Sequence, residues 1–347
     1  MNEPTNKTKK KWPAVLGCVA GALVLIMGSG WLYYQSKLDR LNYDDGKREL
    51  DVTTELPLDD LEIPELERPA PENEDELRLP EGDIFSDENV LNVLLLGTDE
   101  RTPHFSDNAR ADAIMIASVN REDHTGKLVS IERGIGVPIE GRSDDWITHT
   151  FRYGGAALTL KTVQDCFNLD VERYVRVNFH AFIQGIDAIG GIDIEVTQAE
   201  ADCMNAPDAN SLFGPGIQEV HAGVNHMNGA TALSYARTRQ LDSDWKRIER
   251  QRAVVQAAIR QVMHSDLATL NRLADTILPM VQTNFTKSEI TALLLELPGF
   301  LTSDVKISQM TIPPRELCWN RTSDDGRSLI GVDFAENARI LREFLYS

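Results

Sequence analysis

Asn89–Arg133 reads NVLNVLLLGTDERTPHFSDNARADAIMIASVNREDHTGKLVSIER, and three short apolar runs within it decide the architecture. Val90–Leu96 is a buried-type run closed by Gly97, and Ala113–Val119 and Lys127–Ile131 follow it, each bounded by turn-forming residues. Three strands within about forty residues set up a sheet. Downstream, Ala156–Phe167 has helical periodicity, Tyr174–Asn178 reads as a strand, Ala181–Ile189 as a helix, and Ile192–Val196 as a strand after the Gly190-Gly191 turn. Strands alternating with helices predict an α/β domain, a central mixed β-sheet flanked by helices. From Asn228 the chain turns mostly helical, and Asp244–His264 carries Ile248, Val254, Val255, Ala258, Ile259 and Val262 on one face.

Upstream of this body, Trp12–Ser36 runs 25 positions without a charge. As a helix it spans roughly 37 Å, enough to cross a bilayer. Lys7, Lys9, Lys10 and Lys11 precede it, so the positive-inside rule keeps residues 1–11 in the cytoplasm and sends the main domain outside. The run exceeds a signal-peptide core, and its Trp31-Leu32-Tyr33-Tyr34 end suits a membrane interface. The expectation is a single-pass protein of the cell membrane with a transmembrane helix over 12–36. Residues 37–83, rich in Pro, Glu and Asp, read as an extended acidic linker unable to bury a core. The main domain is then 84–265, with a helical and strand-bearing C-terminal portion, 266–347, packed on it.

The 347 residues carry 54 acidic and 35 basic side chains, a net charge of -19. Nucleic acid, which is bound by neutralising phosphates, is thereby excluded as a partner. The excess is concentrated, because Asp44–Glu88 alone holds 18 acidic and 4 basic residues. Cys18, Cys166, Cys203 and Cys318 form no CxxC pair and the seven histidines form no HExxH group, so any metal site must use oxygen ligands.

Two clusters carry candidate chemistry. Asp99 leaves the end of the first strand and Asp112 leads into the second, so both carboxylates can meet at one sheet edge. Such a pair suits Mg²⁺ when phosphate oxygens complete its shell, although Asp99 capping a turn and Asp112 pairing with Arg110 explain the spacing equally well. The second cluster is Arg237, Arg239, Asp242, Asp244, Arg247 and Arg250, at the opening of a helix. Guanidinium forks there fit a pyrophosphate, whereas neutralisation by Asp242, Asp244 and Glu249 in a surface network is the alternative.

Five ordered stretches, NVLLLGTDER (92–101), RADAIMIAS (110–118), SIERGIGVP (130–138), VRVNFHAFIQGIDAIGG (175–191) and LSYARTRQLDSDWKRIERQ (233–251), make the chain similar to the LytR-CpsA-Psr family of extracytoplasmic envelope enzymes. The resemblance implies binding of a polyprenyl-pyrophosphate-linked glycan and its transfer to peptidoglycan. It implies Asp99 and Asp112 as Mg²⁺ ligands, Asp99 and Asp244 as catalytic carboxylates, and Arg110, Arg133, Arg237, Arg239 and Arg247 as phosphate-binding residues. Two positions depart from the family pattern. Glu132-Arg133-Gly134 stands where Pro-Arg-Asp is usual, and Trp146 stands where a lysine is common. These departures favour a rival function, a non-catalytic polyprenyl-phosphate-binding protein, and a second rival is a pyrophosphatase, since water can replace the sugar hydroxyl in the same site.

Some residues have plainer expectations. His149 reads equally as a substrate contact or a hydrogen-bonded structural histidine. Phe179, Phe182, Ile183 and Ile186 form a stripe that a helix packing on a sheet requires in any case. Cys166, on an apolar helix face, reads as a buried thiol. Cys203 and Cys318, both in loop-like stretches of an oxidising compartment, are expected to form a disulfide, contributing roughly 2–5 kcal/mol.

Overall fold

The computed structural model describes residues 33–58, 61–72, 79–206, 216–238, 241, 243–302 and 306–347. Most of the expected membrane span, 12–32, lies outside the described residues; residues 33–38 are helical. Among the described residues no helix is long and apolar enough to cross a membrane. Residues 42–347 form a compact unit of their own.

In chain order that unit contains β1 (Asn42–Tyr43), β2 (Val90–Thr98), β3 (Ala111–Asn120), β4 (Thr125–Ile131), β5 (Gly136–Val137), β6 (Asp145–Trp146), α1 (Ile147–Phe167), β7 (Arg173–Asn178), α2 (Phe179–Ala188), β8 (Ile192–Val196) and α3 (Gln198–Met204). After these come β9 (Gly223–Met227), α4 (Gly229–Arg237), α5 (Asp244–Met263), α6 (Leu267–Ile277), β10 (Val281–Thr283), α7 (Lys287–Thr302), β11 (Ile307–Ile312), β12 (Trp319–Thr322), β13 (Ser328–Gly331) and α8 (Phe334–Leu345). Seven strands form the central sheet in the order β1-β10-β7-β2-β3-β4-β11. It is mixed: β2 runs parallel to β7 but antiparallel to β3, and β4 pairs parallel with β11. The expected α/β architecture is therefore observed, and the C-terminal portion contributes strands to both halves of the sheet.

The run Leu94-Leu95-Leu96 is apolar throughout because β2 is covered on both faces. Leu94 and Leu96 belong to the large core with Ile114, Ile116, Phe151, Phe167 and Phe334, while Leu95 faces a cleft on the other side. Helix α1 starts nine residues earlier than periodicity indicates and is broken inside, at Gly154 (φ −144°, ψ 16°) and Gly155 (φ 65°, ψ −161°). Only a glycine adopts the second of these conformations without strain.

Strand β8 does not join the sheet. It pairs antiparallel with β9, and Ile192, Ile194 and Val196 turn inward to a second, smaller core with Ile186, Met204, Met227 and Tyr235. Its side chains alternate between buried and exposed, so it needs cover on one face only.

Residues 42–58 and 61–68 correct the expectation of a free linker. Tyr174 Oη donates to the Asp44 carbonyl at 2.9 Å, Arg142 to those of Asp51 (3.2 Å) and Thr54 (2.7 Å), and Arg327 to those of Leu56 (3.1 Å) and Pro57 (2.6 Å). Leu61 and Leu66 are buried, and Leu50, Leu56 and Ile63 pack on the large core. Composition argues for a spacer because this stretch cannot build a core alone; its scattered apolar residues instead use one built by the domain, at about 1.5–3 kcal/mol for each fully buried side chain.

The expected disulfide is absent. Cys318 is buried in the large core, its thiol donating to the Pro314 carbonyl at 3.3 Å. Cys203 is also unbridged, and it sits on α3 beside the smaller core, not on a loop. The helix that carries Cys203 packs on the smaller core, whereas Cys318 belongs to the large one. Cys166 is a buried thiol, as its helix face predicts.

Candidate functional site

A cleft of about 690 Å³ opens between the sheet and helices α2, α4 and α5. Leu95, Met115, Val175 and Val177 of the sheet form its floor, and Phe179, Phe182, Leu233, Val254 and Val255 of the helices form its wall. The lip is polar, made by Asp99, Arg101, Arg110, Asp112, Arg237, Arg247 and Gln251. Of the aromatic stripe on α2, Phe179 and Phe182 face the cleft, whereas Ile186 is in the smaller core.

The two carboxylates reach the lip through an irregularity. Gly97 pairs with Ala113 and Thr98 with Ala111, so the register shifts and Asp112 is the extra residue of a bulge in β3. A bulge turns an extra residue toward one face, and Asp112 and Ala113 both line the cleft as a result. Asp99 follows Thr98 directly. Its carboxylate accepts from the Arg110 backbone N–H at 3.1 Å and lies 3.7 Å from the Arg110 guanidinium. Asp99 thus caps the Arg110 backbone, as the plainer reading has it, while Asp112, on the same lip, pairs with Arg133. Burial pushes the Asp99 pKa up and the Asp112 charge adds to this, outweighing the hydrogen bond and charge of Arg110.

Behind the lip lies an ion-pair ladder. Arg133 donates to Asp112 at 2.8 Å and to Asp244 at 3.0 Å, and Arg247 contacts the same Asp244 at 2.8 Å. Burial alone would raise Asp244, but the Arg133 and Arg247 cations outweigh it and hold the carboxyl below its ordinary value. Glu132 is buried beside this ladder. Loss of hydration raises its pKa strongly and the Asp244 charge raises it further, which favours its protonated form.

Of the expected phosphate-binding residues, Arg110, Arg237 and Arg247 line the cleft and Arg133 supports it from below through Asp112 and Asp244. Arg239, like Asp242, lies outside the described residues. Arg237 stacks 4.5 Å over the Phe179 ring, with its pKa lowered by burial and by the neighbouring Arg101 charge. Arg250 instead turns inward, donating to the Thr238 carbonyl at 2.7 Å and facing Glu200 at 3.4 Å. His149 is structural: fully buried, it bonds Asp145 at 3.0 Å.

Two features escape sequence reading. Arg101 stands on the lip, and its only sequence signal is its place in the turn GTDER. Glu100 and Arg176 form a buried ion pair, with Arg176 stacked 4.6 Å from both the Phe105 and Phe151 rings and donating to the Ser106 carbonyl at 2.9 Å. Nothing in a strand reading RYVRVN marks that arginine as inward-facing.

The departures at Gly134 and Trp146 have local explanations. A Cβ at Gly134 would lie 2.8 Å from Ile63 Cδ1, so residues 61–68 occupy the space a side chain would need. Trp146 is fully buried, donates its indole N–H to the Ser328 carbonyl at 2.7 Å and carries Arg327 over its ring, away from the cleft lining.

In sequence and in fold the chain is similar to known proteins. The polyisoprenyl-teichoic acid–peptidoglycan teichoic acid transferase TagU of Oceanobacillus iheyensis is 28% identical over 303 residues, covering 85% of this chain and 83% of that protein. TagT of Bacillus subtilis, with the same activity in its name, is 33% identical over 190 residues, covering 54% of this chain and 58% of that protein. Among solved structures, TagT bound to LI-WTA superposes with a TM-score of 0.59 at 26% identity, covering 82% of this chain and 100% of that one. TagT bound to LIIa-WTA gives 0.58 at 25% identity, covering 75% and 92%. Residues 65–342 match the family description as a whole, and the chain belongs to the LytR_cpsA_psr family.

Proposed function

We propose that this protein is a transferase that moves a glycopolymer from a polyprenyl pyrophosphate to peptidoglycan. The observation that carries the reading is the adjoining of two chemistries: a deep apolar cleft suited to a polyprenyl chain ends at a lip of four arginines and two carboxylates. A pyrophosphate between the two binds by charge-assisted hydrogen bonds from Arg110, Arg237 and Arg247. The resemblance of the chain to TagT and TagU supports the polymer and the acceptor.

In the reaction, a sugar hydroxyl oxygen of peptidoglycan forms a bond to the glycan-bearing phosphorus. The bond from that phosphorus to the bridging oxygen breaks, polyprenyl phosphate leaves, and the hydroxyl proton passes to a carboxylate. Asp99 is the candidate base, because it is the carboxylate at the end of β2 that stands on the lip beside Arg110. Arg133 and Asp244 hold Asp112 and Arg247 in place, and the guanidinium groups stabilise charge developing on the phosphoryl oxygens. Asp99 and Asp112 would hold Mg²⁺. They fit it, since the two carboxylates repel one another at one lip, and a cation that keeps its waters and takes phosphate oxygens needs no third protein carboxylate. When bound, the ion supplies Lewis-acid polarisation of phosphoryl oxygens.

The apolar run 12–36 is proposed as the single-pass membrane anchor that brings the domain to a membrane-borne donor. The test incubates full-length protein with a polyprenyl-pyrophosphate glycan, Mg²⁺ and peptidoglycan fragments. A covalent phosphodiester product supports the reading; phosphate release without transfer assigns a pyrophosphatase, and binding without turnover a lipid-binding protein.

A further inference from the structure

The break in α1 leaves its first half with backbone groups that need partners, because non-helical dihedrals at Gly154 and Gly155 interrupt the ladder. Those partners come from a segment about a hundred residues earlier. Arg48 Nη2 donates to the carbonyl of Phe151 at 3.1 Å and to that of Arg152, and the Asp51 backbone N–H donates to the Tyr153 carbonyl at 2.9 Å. On the far side of the break, Ala157 N–H donates to the Gly46 carbonyl at 3.0 Å. Gly46 has φ +71°, and a Cβ there would lie 3.0 Å from the Tyr174 ring, so the chain approaches α1 closely only because this residue is glycine. Residues 46–51 thus cap both halves of a broken helix.

The third arm of Arg48 reaches elsewhere. Nη1 donates at 2.6 Å to the carbonyl of Asp107, in the loop that joins Asp99 to Arg110. The N-terminal part of that loop is held by Arg176, through Glu100, the Phe105 ring and the Ser106 carbonyl, and by Asn178, which holds the Thr102 carbonyl at 3.1 Å; Arg48 adds a tie at Asp107, next to Asn108–Arg110. Asp107 lies three residues before Arg110, whose backbone N–H fixes the Asp99 carboxylate.

We propose that Arg48 is a positioning residue for the transfer reaction: by bridging the capped break in α1 to the Asp107 carbonyl, it fixes the loop on which Asp99 and Arg110 depend. The inference rests on the transferase reading for its kinetic consequence but not for its structural one. Arg48 touches none of the cleft-lining groups, so its loss acts on the placement of Asp99 and not on the apolar contacts that bind donor. A lysine in its place keeps the charge but has no planar fork to reach three carbonyls on two elements at once.

The test compares full-length wild type, Arg48→Ala, Arg48→Lys and Asp107→Ala by kcat and KM for donor, thermal midpoint, and amide hydrogen exchange over residues 99–110. Arg48→Ala is expected to lower kcat by about ten- to a hundredfold, the scale of a misplaced reacting group, with KM for donor within about twofold of wild type. Arg48→Lys is expected to recover part of that loss, and Asp107→Ala, which keeps the carbonyl but removes a carboxylate 3.5 Å from the same guanidinium nitrogen, to lose clearly less than Arg48→Ala. Exchange in 99–110 should rise in Arg48→Ala above the change elsewhere. Wild-type kcat in Arg48→Ala, or an equal loss in Asp107→Ala, overturns the proposal. If Arg48→Ala does not fold, Arg48→Lys decides, with wild-type kcat overturning it and a lowered kcat at unchanged KM supporting it. If wild type itself shows no turnover, the transferase reading fails, and exchange alone then decides the coupling: faster exchange confined to 99–110 supports it and unchanged exchange overturns it.

Discussion

Arg133 donates from Nε to Asp244 at 3.0 Å across 111 residues of sequence, joining the end of β4 to the start of α5. Because Arg133 also holds Asp112 and Asp244 also holds Arg247, one buried contact sets the spacing between the carboxylate and arginine sides of the lip.

Removing Asp244 leaves two buried guanidinium groups without their shared partner. Asp244→Ala is expected to lower stability by about 3–5 kcal/mol, the scale for stranding a buried charge. Chemical denaturation measures it. A loss below about 1 kcal/mol would mean that solvent already screens the ladder as it does a surface pair.

Asp99→Ala separates base and metal function from lipid binding. Turnover should fall by at least about a hundredfold while donor affinity, which rests on the apolar cleft and the arginines, stays within severalfold. Titration of Mg²⁺ against turnover accompanies the measurement. Unchanged activity would reduce Asp99 to a cap for the Arg110 backbone.

Glu132 gives the cleft a pH dependence. Its folded pKa is raised above its unfolded value, so the folded state binds more protons, and its contribution to stability is complete below the ordinary carboxylate range. That contribution is lost as pH rises through the raised folded value. Glu132→Gln keeps a neutral group in place and should flatten the loss of stability on the alkaline side. Parallel stability curves for the two proteins from acid to alkaline pH would contradict this.

The thiols should differ in reactivity. Cys166 and Cys318 are buried, and loss of hydration pushes the Cys318 pKa up to about 12 and that of Cys166 higher still. Cys203 is half-buried and lines the cleft. Alkylation of the native protein is expected at Cys203 first, slowed by a polyprenyl phosphate. Peptide mapping that finds equal labelling of all three, or a Cys203–Cys318 bridge, would count against the fold described.

Sequence alone was sufficient wherever a local pattern has one physical solution. Val90–Leu96, Ala113–Val119 and Lys127–Ile131 are strands because such short apolar runs bury themselves only in a sheet covered on both faces. Asp99 and Asp112 were legible as a pair because both flank strand ends, and the arginines of 237–250 because of their density. What stayed hidden depends on which distant groups meet. The bulge that turns Asp112 into the cleft follows from pairing β3 with β2, the inward turn of Arg250 from Thr238 and Glu200, and the burial of Arg176 from Phe105 and Phe151. The docking of the acidic segment and the absence of a Cys203–Cys318 bridge share one cause. Composition reports what a segment can bury by itself, and spacing reports what lies near along the chain, whereas the docking of residues 42–58 and 61–68 and the separation of Cys203 from Cys318 are set by surfaces that exist only after the two cores have formed.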